Sequence, residues 1–136
     1  VNSNMPDWVV SKISAALNDQ YKPIKGSRIL VLGIAYKKNI DDMRESPAVR
    51  IMELLQLRGA KISYSDPYVP EFPKMRNYHF KLTSVPLNID SIAEYDCIVV
   101  ATNHDVFDWE LIKQNAQLIV DTRGVYLEPA ENVVKA

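Results

Sequence analysis

Arg28-Ile29-Leu30-Val31-Leu32-Gly33-Ile34-Ala35-Tyr36-Lys37-Lys38-Asn39-Ile40-Asp41-Asp42-Met43-Arg44-Glu45-Ser46-Pro47 decides how this chain is read. The near-continuous apolar run up to Gly33 has the character of a central parallel strand, buried on both faces. Ser46-Pro47 has the character of a helix start, with a hydroxyl at the N-cap and proline at the first helical position. Between them lies a loop crowded with charge: Lys37, Lys38, Asp41, Asp42, Arg44 and Glu45. A strand that feeds a helix through such a loop is the place where open α/β sheets bind ligands. The lysines make it, in outline, a site for an anion.

Working outward, Ala48, Ile51, Met52, Leu54, Leu55 and Leu57 recur at helical spacing, and Gly59 supplies the stop. Lys61-Ile62-Ser63-Tyr64-Ser65 follows as a second strand, completing a βαβ unit. The fold class is therefore α/β, a Rossmann-like, doubly wound and mostly parallel sheet with helices on both faces. Upstream, Val9, Val10, Ile13, Ala16 and Leu17 predict an amphipathic helix over Pro6–Asn18, capped by Asn4 or Asp7, before Pro23 and Gly26 break the pattern.

Downstream, the three prolines of Asp66–Pro73 enforce a loop. A short edge strand is expected at His79–Leu82 and a short helix around Ile89–Ala93. A buried strand is expected at Tyr95–Ala101, a helix capped by Asp108, a strand at Leu118–Gly124 and one more short strand in the tail. The strand tips then carry Tyr36-Lys37, Asp66-Pro67, Thr102-Asn103-His104 and Asp121-Thr122-Arg123. In a doubly wound sheet those tips share one edge, and their polar residues converge on a cleft.

At 136 residues, 47% hydrophobic and 24% charged, the chain has the composition of one globular domain. Its net charge of −1 offers no global field for nucleic acid or an anionic membrane, so an anion site must be local. No apolar run approaches the ~20 residues of a membrane span and no signal peptide opens the chain. The single cysteine, Cys97, forms no internal disulfide and fits a reducing compartment, so a cytoplasmic location is expected. The opening Val1-Asn2-Ser3-Asn4 does not resemble a natural start, and the chain is expected to be a piece of a larger enzyme.

The candidate chemistry is binding rather than catalysis. A self-contained dinucleotide site needs G-x-G-x-x-G, and the first turn holds Gly33 alone; a P-loop is absent as well. Lysines are commonly solvated, but Lys37 and Lys38 sit at a strand tip, which favours at least one ligand contact. Arg123 can offer a planar fork to phosphate or carboxylate, or pair with a neighbouring acid such as Asp121. Asp41, Asp42 and Glu45 read as groups that neutralise and orient the loop. Cys97, inside an apolar strand, reads as an inert buried thiol. His79 and His104 lack spaced partners for zinc or a triad, leaving His104 as a candidate for lining the cleft. No nucleophile stands beside a base, and no metal site is expected.

Gly33-x-Ala35-Tyr36-Lys37, Asp42-x-Arg44-Glu45-Ser46-Pro47, Asp66-Pro67-Tyr68 and Asp121-Thr122-Arg123 resemble, in this order, the carboxy-terminal UDP-binding domain of the UDP-glucose/GDP-mannose dehydrogenase family. The fourth residue group departs in one place, carrying Thr122 where many relatives have glycine. The resemblance implies a domain over residues 25–136 that binds a nucleotide sugar, preceded over 1–24 by a helix and linker from a central domain. It implies that Tyr36, Lys37 and Arg123 contact a UDP-sugar and that Arg44 reaches NAD. The family oxidises the sugar C6 hydroxyl to a carboxylate with two NAD+, through a thiohemiacetal and thioester on a cysteine. That cysteine and most of the NAD site would lie in amino-terminal and central domains outside this chain, so the piece alone would be inactive. Cys97 does not match it. The resemblance further implies a homodimer or higher oligomer at full length and a role in surface-polysaccharide precursors. The Ala-Tyr-Lys form and the Asp66–Pro70 loop are nearest to the UDP-N-acetylhexosamine 6-dehydrogenases. The competing reading is a non-catalytic nucleotide- or partner-binding module on the same scaffold.

Overall fold

The computed structural model describes residues 5–40, 46–75 and 80–136. Its elements run α1 (Met5–Asn18), β1 (Arg28–Leu32), α2 (Pro47–Leu57), β2 (Lys61–Ser65), α3 (Ile89–Ala93), β3 (Cys97–Val100), α4 (Trp109–Asn115), β4 (Ile119–Asp121) and β5 (Val133–Lys135). The strands form one sheet in the order β2-β1-β3-β4-β5, and every pairing is parallel. The chain builds outward from β1 to β2, then crosses back to β3 and continues the other way. The direction of winding therefore reverses between β1 and β3, which places the topological switch point there.

The alternation of strand side chains sorts the core into two halves. Ile29 and Val31 of β1, with Cys97 and Val99 of β3, pack under α1 and α2. Leu30 and Leu32, with Ile98 and Val100, pack under α3 and α4. Full burial of each such aliphatic side chain contributes about 1.5–3 kcal/mol, which is why apolar runs without polar alternation mark these strands. The apolar stripe of α1 (Val9, Val10, Ile13, Ala16, Leu17) is buried in the same half as α2. Lys22, just beyond α1, pairs with Asp96 before β3 at 2.9 Å. The first helix is thus part of this core. Asn4, one of its two expected caps, lies outside the described residues, and Asp7 sits inside the first turn rather than at the cap.

α2 stops as its glycine predicts. Gly59 adopts φ +91°, its N–H reaches Gln56 O at 3.0 Å and the Ala60 N–H reaches Leu55 O at 3.1 Å, closing the last turn. At its other end, Ser46 occupies the N-cap and Pro47 follows, but the hydroxyl does not cap the helix. It donates instead to Ile34 O at 2.6 Å, tying the helix start to the tip of β1. The edge strand expected at His79–Leu82 also differs. His79 lies outside the described residues, and 80–82 form no strand. Phe80 and Leu82 are drawn against the core, and only Ser84 bridges the outer edge of β2, opposite Tyr64, with Val85 N–H on Tyr64 O at 2.8 Å. This short cover blunts the exposed edge without extending the sheet. Among the described residues no helix is long and apolar enough to cross a membrane.

Candidate functional site

Because β1 lies between β2 and β3, the loops leaving those two strands flank the loop leaving β1. The first residue past β2, Asp66, is wholly buried and turns its carboxylate under that loop. Its Oδ2 accepts the backbone N–H of Ile34 at 2.9 Å and of Ala35 at 3.2 Å, and its Oδ1 accepts that of Tyr68 at 2.9 Å. From the β3 side, His104, also wholly buried, brings Nε2 to 2.9 Å from the same Oδ2. Burial pushes the Asp66 carboxyl up, but the bonds from His104, Ile34 and Tyr68 outweigh it and hold the group below the usual carboxylate range.

The far end of the loop is held as firmly. The Asn39 N–H donates to His104 Nδ1 at 2.6 Å. The Asn39 side chain exchanges two bonds of 2.8 Å with Asp105, donating from Nδ2 to the carboxylate and accepting the Asp105 N–H. Asn39 itself has φ +65°, a left-handed conformation that asparagine tolerates better than most residues. Lys38 lies 3.6 Å from Asp105, and the Asn39 bond and Lys38 keep that carboxyl below its ordinary range. Closer to the strand, Thr102 Oγ1 donates to Ala35 O. Gly33, at φ +77°, packs so tightly on Thr102 that a Cβ there would fall 2.5 Å from the Thr102 side chain and carbonyl. Only glycine fits between the tips of β1 and β3.

On this platform stand the residues expected to bind. Tyr36, Lys37, Lys38, Asn103 and Arg123 line one cleft of about 430 Å³. Tyr36 and the three cations are exposed. Arg123 arrives from the β4 tip, where Asp121 is buried and serves the backbone: its Oδ1 accepts the Arg123 N–H and its Oδ2 the Tyr126 N–H, each at 3.0 Å. The carboxylate anticipated as a partner for the guanidinium therefore shapes the turn that presents it. Thr122 adds a tether, its Oγ1 donating to Val100 O at 2.6 Å.

The structure thus brings together Tyr36, Lys37 and Arg123 from two strand tips. Arg44, with Asp41, Asp42 and Glu45, lies outside the described residues. His104 is wholly buried and does not line the cleft, and both its ring nitrogens are engaged by the loop and Asp66. Asn103 was a strand-tip residue without an assigned role; the polar turn Thr102-Asn103-His104 was the signal that could have found it. Cys97 is fully buried, and burial, with Asp96 next to it, pushes its thiol well above the ordinary value, as an inert thiol requires.

A second cleft, of about 440 Å³, opens on the α3 and α4 side among Pro67, Val85, Leu87, Phe107 and Leu111. Its lining contains no lysine or arginine. The cationic cleft is the one suited to phosphate.

The β1 tip does not fit a dinucleotide pyrophosphate. In a G-x-G-x-x-G turn the backbone N–H groups face the phosphates and a helix begins at once. Here the N–H groups of Ile34 and Ala35 are already taken by Asp66, and α2 begins only at Pro47.

Residues 30–128 match the model of the UDP-glucose/GDP-mannose dehydrogenase family, UDP binding domain. A UDP-glucose 6-dehydrogenase of Rhizobium meliloti is 33% identical over 131 residues, which cover 93% of this chain and 29% of that protein. A UDP-N-acetyl-D-mannosamine dehydrogenase of Methanococcus maripaludis is 34% identical over 107 residues, covering 79% of this chain and 22% of that protein. Among solved structures, the UDP-D-ManNAc dehydrogenase of Pyrococcus horikoshii superposes with a TM-score of 0.76 at 26% identity, over 98% of this chain and 30% of that one. The chain therefore spans less than a third of the length of these relatives.

Proposed function

The chain belongs to the UDP-glucose/GDP-mannose dehydrogenase family, and from that premise we propose that its cationic cleft binds the nucleotide sugar of an NAD-dependent 6-dehydrogenase. The observation that carries this reading is the meeting of Lys37, Lys38 and Arg123 around one cleft at the switch point. A nucleoside diphosphate carries its charge on a short run of oxygens. Two ammonium groups and a guanidinium fork within one cleft suit that chemistry. Tyr36 offers a ring face and a hydroxyl, and Asn103 a donor and an acceptor, to the uncharged ends of the ligand.

In this reading residues 25–136 form the substrate half of the enzyme, and α1 with its linker, residues 1–24, carries the connection from a central domain. NAD, which supplies the hydride acceptor when bound, belongs to another domain, since the β1 tip is closed to a pyrophosphate. Arg44, outside the described residues, is the residue of this chain assigned to contact it. The catalytic cysteine also lies elsewhere, and the isolated piece binds without turning over. The substrate is a UDP-sugar of the N-acetylhexosamine or glucose type, the full enzyme is cytoplasmic and it works as a dimer or larger assembly.

Isothermal titration of the purified chain with UDP, UDP-N-acetylglucosamine, GDP and NAD+ tests the assignment. Selective binding of the uridine nucleotides is expected. Preference for GDP would move the substrate to the mannose branch, and tight binding of NAD+ alone would overturn the reading. In Lys37→Ala, loss of one charge-assisted contact is expected to weaken UDP by about one to two decades.

A further inference from the structure

We propose that His104 is a positioning residue that fixes the Tyr36–Asn39 loop in its binding conformation, and that it does so only as the neutral Nε2–H tautomer. The proposal rests on the reading of the cleft as a nucleotide-sugar site and names the part that holds that site in shape. The hydrogen bonds assign the tautomer. A backbone N–H can only donate, so Nδ1, 2.6 Å from Asn39 N, must accept. The proton is then on Nε2, which donates to Asp66 Oδ2 at 2.9 Å. The ring therefore spans the loop, taking its far end at Asn39 while Asp66 takes its near end at Ile34 and Ala35. Lys37 and Lys38 lie between those two anchors, as does Tyr36.

A second proton would turn Nδ1 into a donor facing the Asn39 donor, removing the backbone bond at the far end and leaving that end to the two Asn39–Asp105 bonds, while the near anchor stays in place. Among the described residues, the groups that face the ring are few. Asp66 comes from the tip of β2, and the Tyr68 ring lies on it at 4.7 Å from the same loop. The Phe107 ring stands at 5.6 Å on its own loop. Asp105 follows His104 in the chain, with Lys38 beyond, 3.6 Å from that carboxylate. The two protonation states thus correspond to a loosened and a clamped loop.

The test uses the isotope-labelled chain without and with UDP. Long-range proton–nitrogen correlation is expected to show the Nε2–H tautomer, and an Nδ1–H ring would overturn the proposal. Amide exchange at Tyr36–Asn39 and UDP affinity are then followed from about pH 8 to about pH 5, the span in which imidazoles generally change charge. Protection of those amides, the exchange rate taken relative to its intrinsic value at each pH, is expected to fall together with affinity as the ring gains its second proton. In His104→Asn, whose side-chain oxygen can take over the Asn39 N–H, the loop should remain protected and lose that pH response. In His104→Leu it should exchange at least about tenfold faster, the effect of one buried hydrogen bond lost. Loop protection in His104→Leu equal to the parent would overturn the proposal. Should that variant not fold, the parent's tautomer and pH response decide the matter. Absence of UDP binding to the parent would overturn the functional reading, while the exchange data would still judge the clamp.

Discussion

The strand tips that present the cations of the cleft are each organised by a buried aspartate, yet the two carboxylates work over different distances. Asp121, at the end of β4, turns back on its own loop and serves Arg123 and Tyr126, its near neighbours in the chain. Asp66, at the end of β2, also holds Tyr68 locally, but reaches across the sheet to Ile34, Ala35 and His104. A local carboxylate sets the conformation of one turn. A crossing one fixes the relative position of three strand tips, so its removal should be felt by the whole edge.

The largest effect is therefore expected for Asp66→Ala. It strands three backbone donors and the imidazole in a buried site, and should lower the unfolding free energy in denaturant titration by about 3–5 kcal/mol. Asp121→Ala strands two backbone donors and should cost about 1–3 kcal/mol by the same measurement. Equal losses in the two variants would break the distinction between crossing and local carboxylates.

The contrast sharpens further in acid. The folded Asp66 carboxyl titrates below its ordinary value of about 3.9. Its extra stabilisation is therefore complete above that value and disappears as the pH falls through the lower, folded one. Asp66→Asn should flatten that part of the acid limb of stability against pH, and an unchanged limb would contradict the assignment.

The smallest effect on stability belongs to the surface of the cleft. Arg123→Ala should leave unfolding within about 0.5 kcal/mol of the parent while weakening UDP in calorimetry. A large stability loss would mean that the guanidinium holds the loop and not the ligand.

How much of this could be read in the chain follows from the range of the interactions. The strands were legible because a parallel sheet buried on both faces demands uninterrupted apolar runs such as Ile29–Leu32 and Cys97–Val100. The meeting of Tyr36, Lys37 and Arg123 was legible too, since all three stand at strand tips and winding brings those tips to one edge. The Asp66–His104 pair was not. Its members are separated by 38 residues, and they meet only because β1 is flanked by both of their strands. Ser46 shows the same limit in miniature. Its identity and place before Pro47 fit a cap, but the Ile34 carbonyl, delivered by tertiary structure, competes for the hydroxyl. Residues 80–82 had strand-like side chains, but their apolar groups were needed in the core more than their backbone was needed in the sheet.

The sheet order has a consequence for how the molecule comes into being. Among the described residues β1 is the first strand along the chain, and its Ile29 and Leu30 are matched to β2 on one side and β3 on the other. Its neighbours are made later, and β3 only after α2, β2 and the proline-rich loop have been laid down. Closing that long loop carries an entropic cost before the pairing returns anything, the circumstance that makes parallel topologies slow to form. During synthesis β1 must therefore wait, half paired, for its last partner, and the binding edge at its tip cannot exist until that partner arrives.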